Sequence, residues 1–260
     1  MAHILAFSSQ VVYGPVGNSA AVPALQSFGH DVMQLPTVLL SNHPGHGVPE
    51  KLAVTPAKFQ SMLNKVAALG ALQNCDATMT GYFASPEQVE IAAVVIAEIK
   101  QRNPKTIVLV DPVIGDNGKL YVGVDTATAI RDHLLPLATI TTPNLFELGW
   151  LANENRSSPA DIVAVARKLP PSTVIVTSVP QGSTELQTLH VTRNDVWSSQ
   201  TTRRTGVPNG TGDYLAGLYL GALLQSEPRA AFTRAMAELE IAITRSAGGP
   251  VLAVAHARNT

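Results

Sequence analysis

Short apolar runs alternate with longer stretches whose apolar positions recur at helical spacing along most of the chain. The runs at residues 3–7, 30–35, 77–80, 106–110, 138–141 and 173–177 predict strands. Helical periodicity marks 18–28, 56–69, 86–100, 125–135, 145–151, 159–169, a segment after Gly212, and 228–245. Pro23 is expected to bend or delay the first helix, and Pro86 suits the first turn of another. Residues 36–49, PTVLLSNHPGHGVP, carry three prolines and two glycines and read as largely loop. Residues 185–192 and 195–201, split by Arg193 and Asn194, predict a late antiparallel hairpin.

The run TIVLV at 106–110 has no polar alternation, as required of a strand covered on both faces. Strand–helix alternation of this kind predicts a three-layer α/β fold with a mostly parallel central sheet flanked by helices. A TIM barrel fits the length, but the terminal hairpin and the two consecutive final helices disfavour it. Open parallel sheets bind ligands beyond the carboxyl ends of their strands. The polar, Gly/Pro-rich segments 8–17, 41–47, 81–82, 111–118, 143–147 and 177–178 would therefore gather at one edge.

Composition narrows the ligand. A chain of 260 residues that is 45% hydrophobic and 14% charged can bury one substantial core. Its formal net charge of -1 provides no basic field for nucleic acid or an anionic membrane, so small molecules or a second copy of the chain are the expected partners. Cys75 is the sole cysteine, which excludes an intrachain disulfide and a cysteine-cluster zinc site. The N-terminus lacks a secretory pattern and no run is long enough to span a membrane, so a cytoplasmic location is expected.

One stretch carries chemistry beyond composition. VPNGTGDYLAGLYLGALL, from Val207, sets Asp213 behind Gly210-Thr211-Gly212 where an uncharged helix begins. The glycines permit close backbone approach, and the helix N-terminus offers free amides to an anion. Asp213 could simply cap the helix, but Asn209 and Thr211 are also able to cap it. The alternative is that the amides hold a phosphate in transfer while Asp213 takes a proton from a hydroxyl. No Walker A loop is present, and Gly210, Gly212 and Gly217 miss the dinucleotide spacing.

GTGD before an apolar helix resembles the anion hole and catalytic base of the ribokinase-like kinases. VVYGPVGNSA at 11–20, SNHPGHG at 41–47, TGY at 80–82, DPVIGDNGKLYV from Asp111 and TPNLFEL from Thr142 make the chain similar to the pyridoxal kinase family. The likeness runs from Ile4 to about Leu224 and implies a single ribokinase-like kinase domain over residues 1–260. It implies transfer of the ATP γ-phosphoryl group to the 5′-hydroxyl of pyridoxal, pyridoxine or pyridoxamine, in vitamin B6 salvage. Asp213 would be the base, with Gly210, Thr211 and Gly212 as the anion hole. By the same resemblance Ser9, Val16, His43 and Tyr82 would line the ring site. Asp111, Thr142, Asn144, Glu147, Thr177 and Ser178 would form the nucleotide end, with Asp116 nearby and Asp111 and Glu147 serving Mg²⁺.

The resemblance also implies ATP and Mg²⁺ as co-reactants, K⁺ as a candidate activator, and a homodimer. Three departures stand out: Pro44 replaces the family's usual threonine, Ser8-Ser9-Gln10 replaces Gln-Ser-His, and the segment TTRRTGV at 201–207 is short. The rival enzyme is a hydroxymethylpyrimidine kinase, disfavoured by the VVYG stretch. The rival non-enzyme is a vitamin B6-binding protein that has lost transfer. Arg203 and Arg204 could reach ATP phosphates or form a solvated pair.

Overall fold

The computed structural model describes residues 1–154 and 159–254. Nine strands form one sheet in the order β11-β10-β9-β8-β5-β4-β1-β2-β3. They are β1 (His3–Tyr13), β2 (Asp31–Asn42), β3 (Lys51–Ala53), β4 (Ala77–Thr80), β5 (Ile107–Val110), β8 (Ile140–Thr141), β9 (Thr173–Gln181), β10 (Glu185–Thr192) and β11 (Val196–Thr202). Two short strands, β6 (Gly115–Asp116) and β7 (Lys119–Leu120), pair separately. From β2 through β9 neighbouring strands are parallel, whereas β3 and the β9–β10–β11 meander pair antiparallel. The late hairpin is thus present and extends the sheet.

Alternate strand residues feed two cores, which is why the strands show no polar alternation. Leu5, Phe7, Val108, Val110, Val174 and Val176 pack beneath α2 (Pro56–Ala68), α3 (Pro86–Arg102), α4 (Val124–Ala129), α5 (Leu145–Ala152) and α6 (Pro159–Ala166). Ile4, Ala77, Leu109, Ile140 and Ile175 meet α1 (Asn18–Ser27), α7 (Thr211–Leu223) and α8 (Pro228–Arg245) on the other face. The result is the three-layer arrangement the pattern predicts.

Pro23 lies inside α1, which starts at Asn18 without delay. Two other local expectations need correction. The helix expected at 125–135 is α4 followed by a π turn, Ile130–Leu134. The supposed loop at 36–49 is strand as far as Asn42, then a 3-10 turn at Pro44–His46. Pro36 tolerates this because it sits where the β1–β2 register breaks: Ser8 opposes Pro36 but Gln10 opposes Leu39, leaving one extra residue in β2.

Helices α1 and α7 pack together through missing side chains. A Cβ on Gly217 would stand 2.7 Å from the Ala21 carbonyl oxygen, and one on Gly221 would stand 2.7 Å from the Phe28 ring. The strand order reverses direction between β1 and β4, since the chain places β2 on one side of β1 and β4 on the other. That switch point is where an open sheet leaves a crevice.

Candidate active site

Asp213 stands in the first turn of α7, directly over this crevice. A Cβ on Gly81, the residue after β4, would lie 2.6 Å from Ser8 Oγ and 3.7 Å from Asp213 Oδ1. The ends of β1 and β4 and the head of α7 therefore meet at one carboxylate. The backbone N–H groups of Gly17 and of Asp213 itself hydrogen-bond that carboxylate. Burial outweighs them and pushes its pKa up to about 6.

The helix tip is open for an anion. Gly210, with φ 99°, precedes α7, and no side chain caps it. Neither Asn209 nor Thr211 performs the capping considered above, so the Thr211 and Gly212 amides have no side-chain cap among the described residues. Nothing lies within 4 Å of a Cβ built on Gly212, whereas Gly210 is pressed against the Pro15 carbonyl and Val16.

The residues expected to line the ring lie on the segments packed near the head of α7. Ser9 is buried on β1 opposite the β2 bulge, and Gly17 lies so close that a Cβ there would stand 2.3 Å from Ser9 Oγ. Tyr82 is half-buried, its pKa raised by burial, and its N–H donates to Ser8 Oγ at 3.0 Å. His43 Nδ1 accepts the Gly45 N–H at 3.0 Å and so fixes the turn that follows. Burial, helped by nearby His46, lowers the His43 pKa, and a Cβ on Gly45 would stand 2.9 Å from Asn209 Nδ2. The 41–47 segment is therefore folded against the GTGD turn.

The polar residues of the other flank form one network. Thr142 Oγ1 donates to Asp111 Oδ1 at 2.7 Å. Glu147 Oε1 accepts the N–H groups of Ile114 and Gly115 at 3.0 and 3.3 Å, and Oε2 accepts that of Asn144 at 2.9 Å. Asn144 returns a bond to the Glu147 N–H, completing a capping box at the start of α5, and donates through Nδ2 to the Gly115 carbonyl. Thr177 bridges Asn144 in parallel, and Ser178 beside it is exposed with φ 58°. A cleft of roughly 470 Å³ adjoins this end, lined in part by Asp116, Phe146, Ser178 and Arg203.

Three acids thus converge. Burial drives Asp111 well above the ordinary carboxylate range, reinforced by Asp213 and then Glu147. Burial likewise pushes Glu147 up to about 8, against the three amides that favour its charge. Among the described residues none of these three acids has an ion-pair partner. Arg204 does not supply one, because it pairs with Glu240 and Thr244 on α8. The two arginines are thereby separated, only Arg203 facing the cleft.

The phosphomethylpyrimidine kinase family model matches residues 17–249. A pyridoxal kinase of Corynebacterium diphtheriae is 32% identical over 88% of this chain and 83% of its own length. The chain belongs to the pyridoxal kinase family. Its similarity extends to a pyridoxine/pyridoxal/pyridoxamine kinase of Bordetella avium, 38% identical over 85% of this chain and 79% of that one. The solved pyridoxal kinase of Leishmania donovani in complex with ADP and pyridoxine superposes with TM-score 0.91 at 28% identity, covering 97% of this chain and 92% of that one. The ribokinase-like fold expected from the sequence is the fold of the pyridoxal kinase family.

Sequence reasoning did not single out Ser8, Pro15, Gly17 and Asn209 as site residues. Ser8 and Asn209 were recoverable as polar residues flanking singled-out ones. Pro15 and Gly17 act through main-chain atoms, which side-chain chemistry does not reveal.

Proposed function

We propose that this chain transfers the γ-phosphoryl group of ATP to the primary 5′-hydroxyl of pyridoxal and related vitamin B6 alcohols, as one kinase domain. The carrying observation is the Asp213 carboxylate at the β1–β4 switch point, beside Ser8 and Gly81 and under an uncapped helix tip. Asp213 accepts the hydroxyl proton as the alcohol oxygen bonds to phosphorus and the bond to the ADP oxygen breaks. The amides of Gly210, Thr211 and Gly212 stabilise charge on the group in flight. Ser9, Val16, His43 and Tyr82 hold the ring, and Asp111, Thr142, Asn144, Glu147, Thr177 and Ser178 hold the nucleotide end.

The acids of the site suit a divalent cation. Asp213 and Glu147 both disfavour charge on Asp111, and none of the three has an ion-pair partner among the described residues. No group of three or more described His, Cys, Asp or Glu residues forms a protein cage. This favours Mg²⁺ held chiefly by phosphate and water, with Asp111 and Glu147 behind the water shell. Bound there, Mg²⁺ would neutralise phosphate charge.

A second copy of the chain is the proposed partner, supported by exposed Val12, Tyr13, Leu39 and Leu52 on the β1–β3 arm. No described helix is long and apolar enough to cross a membrane. The cytoplasm, where ATP is available, is the proposed compartment.

The test is ADP release measured with pyridoxal, pyridoxine, pyridoxamine and hydroxymethylpyrimidine, with and without Mg²⁺, chelator and K⁺. Mg²⁺-dependent release should be fastest with a B6 alcohol. Preference for the pyrimidine by kcat/KM would reassign the enzyme, and tight pyridoxal binding without ADP release would remove the catalytic role.

A further inference from the structure

Tyr82 is held by its main chain at both ends. Its N–H donates to Ser8 Oγ at 3.0 Å, and its carbonyl accepts Thr37 Oγ1 at 2.7 Å. Thr37 lies at the β2 bulge opposite Ser9 and is fully buried. Its own carbonyl accepts Gln88 Nε2 at 2.9 Å.

Gln88, 1% exposed, has every side-chain polar group engaged. Nε2 also donates to the Val54 carbonyl at 2.7 Å, and Oε1 accepts the Ala84 N–H at 3.0 Å. The residue sits in the first turn of α3, where Ser85 caps the helix by accepting the Gln88 N–H. The sequence Ser85-Pro86-Glu87-Gln88 is thus a capping-box pattern whose glutamine reaches back past the cap to Ala84. That frees its amide group to tie β2 and the segment after β3 to the loop carrying Tyr82.

We propose that Thr37 and Gln88 are positioning residues that set affinity for the B6 ring by fixing the Tyr82 main chain, without touching the substrate. A bulge beside an active site commonly re-aims a side chain. Here the extra residue of β2 brings the Thr37 hydroxyl to the Tyr82 carbonyl while Ser9 lies opposite, so both ring-side groups depend on one local register. Loss of the hydroxyl would leave a part-buried carbonyl without its donor and let the aromatic wall shift. The nucleotide end, carried by β5, β8 and α5, has no hydrogen bond to Thr37 or Gln88 and should not respond.

This inference rests on Tyr82 forming a wall of the ring site, so the experiment tests both. Steady-state kinetics would be measured for Thr37→Val, Thr37→Ser, Gln88→Met and Tyr82→Leu, with circular dichroism as a check on folding. Thr37→Val is nearly isosteric and should raise the pyridoxal KM about tenfold, with kcat and the ATP KM within about twofold of the parent. Thr37→Ser, which keeps the hydroxyl, should restore the parent KM, and Gln88→Met should move KM in the same direction as Thr37→Val. A parent-like pyridoxal KM in Thr37→Val, beside a raised KM in Tyr82→Leu, would overturn the inference and spare the ring-site reading. An unchanged KM in Tyr82→Leu would overturn both. Equal losses for both substrates, without rescue by serine, would show a merely structural role and also overturn it.

Discussion

Gly210 packs so tightly on Pro15 that a Cβ would stand 2.1 Å from the Pro15 carbonyl oxygen, and its φ of 99° already disfavours any side chain. Gly210→Ala must therefore push the loop before α1 away from the head of α7. Turnover should fall by a factor of about 10² or more, because the amides of the proposed anion hole move with the turn. Gly212→Ala meets no neighbour within 4 Å and should leave the folded structure intact. Kinetics and circular dichroism of the pair would check this, and equal activity in Gly210→Ala and the parent would refute it.

Asp213→Asn keeps the size of the side chain and removes the carboxylate proposed as the base. Turnover should fall about 10²-fold or more while ATP binding is retained. The same change should raise Tm at neutral pH, because a carboxyl whose pKa is raised on folding opposes folding once ionised. The folded value, about 6, lies above the ordinary aspartate value of 3.8. The penalty therefore grows as pH rises from the lower value through the upper one. Differential scanning calorimetry should show the advantage of Asp213→Asn shrinking below pH 6. An advantage independent of pH would contradict this account of the carboxyl.

The acid limb of kcat/KM for pyridoxal should reflect the same group. As the proposed base, Asp213 would act in its ionised form, so activity should decline as pH falls through about 6, well above the range of an ordinary aspartate. A profile flat down to pH 4.5 would show that the base is not this carboxyl.

His190 gives a separate pH dependence, away from the cleft. It is fully buried, stacked on Trp197 at 4.5 Å, with Nε2 hydrogen-bonded to Tyr219 Oη at 2.8 Å. Burial lowers its pKa from 6.5 to about 4. An unfolded chain takes up this proton first, so stability is lost as pH falls from the upper value toward the lower. The loss from this residue should reach about 2 kcal/mol near pH 5. Denaturation at pH 7 and pH 5 should show a smaller pH-dependent loss for His190→Gln than for the parent; identical losses would remove His190 as a cause.

The strand–helix order was legible because both cores use plain apolar residues: β4 runs over Ala77–Thr80, as its sequence predicts. Misreading 36–42 as loop follows from counting the prolines and glycines of 36–49 without the place that Pro36 takes in the sheet. Its place at a register break, which depends on β1, cannot be seen locally. The acids and the GTGD turn were recognisable as chemistry. Their convergence required the sheet order, and the role of Gly17 required knowing that its amide faces Asp213. The Thr37–Gln88 link joins residues 51 apart and leaves no periodic trace in the sequence.

The glycine seam between α1 and α7 has a consequence for the catalytic edge. Because Gly217 and Gly221 admit the neighbouring helix at contact distance, their bare backbone sets how far α7 advances toward the substrates. A methyl group added at either point would lever the whole rod outward and carry the base with it. The reach of the Asp213 carboxylate, the proposed base, is thus gauged from the rear of its helix.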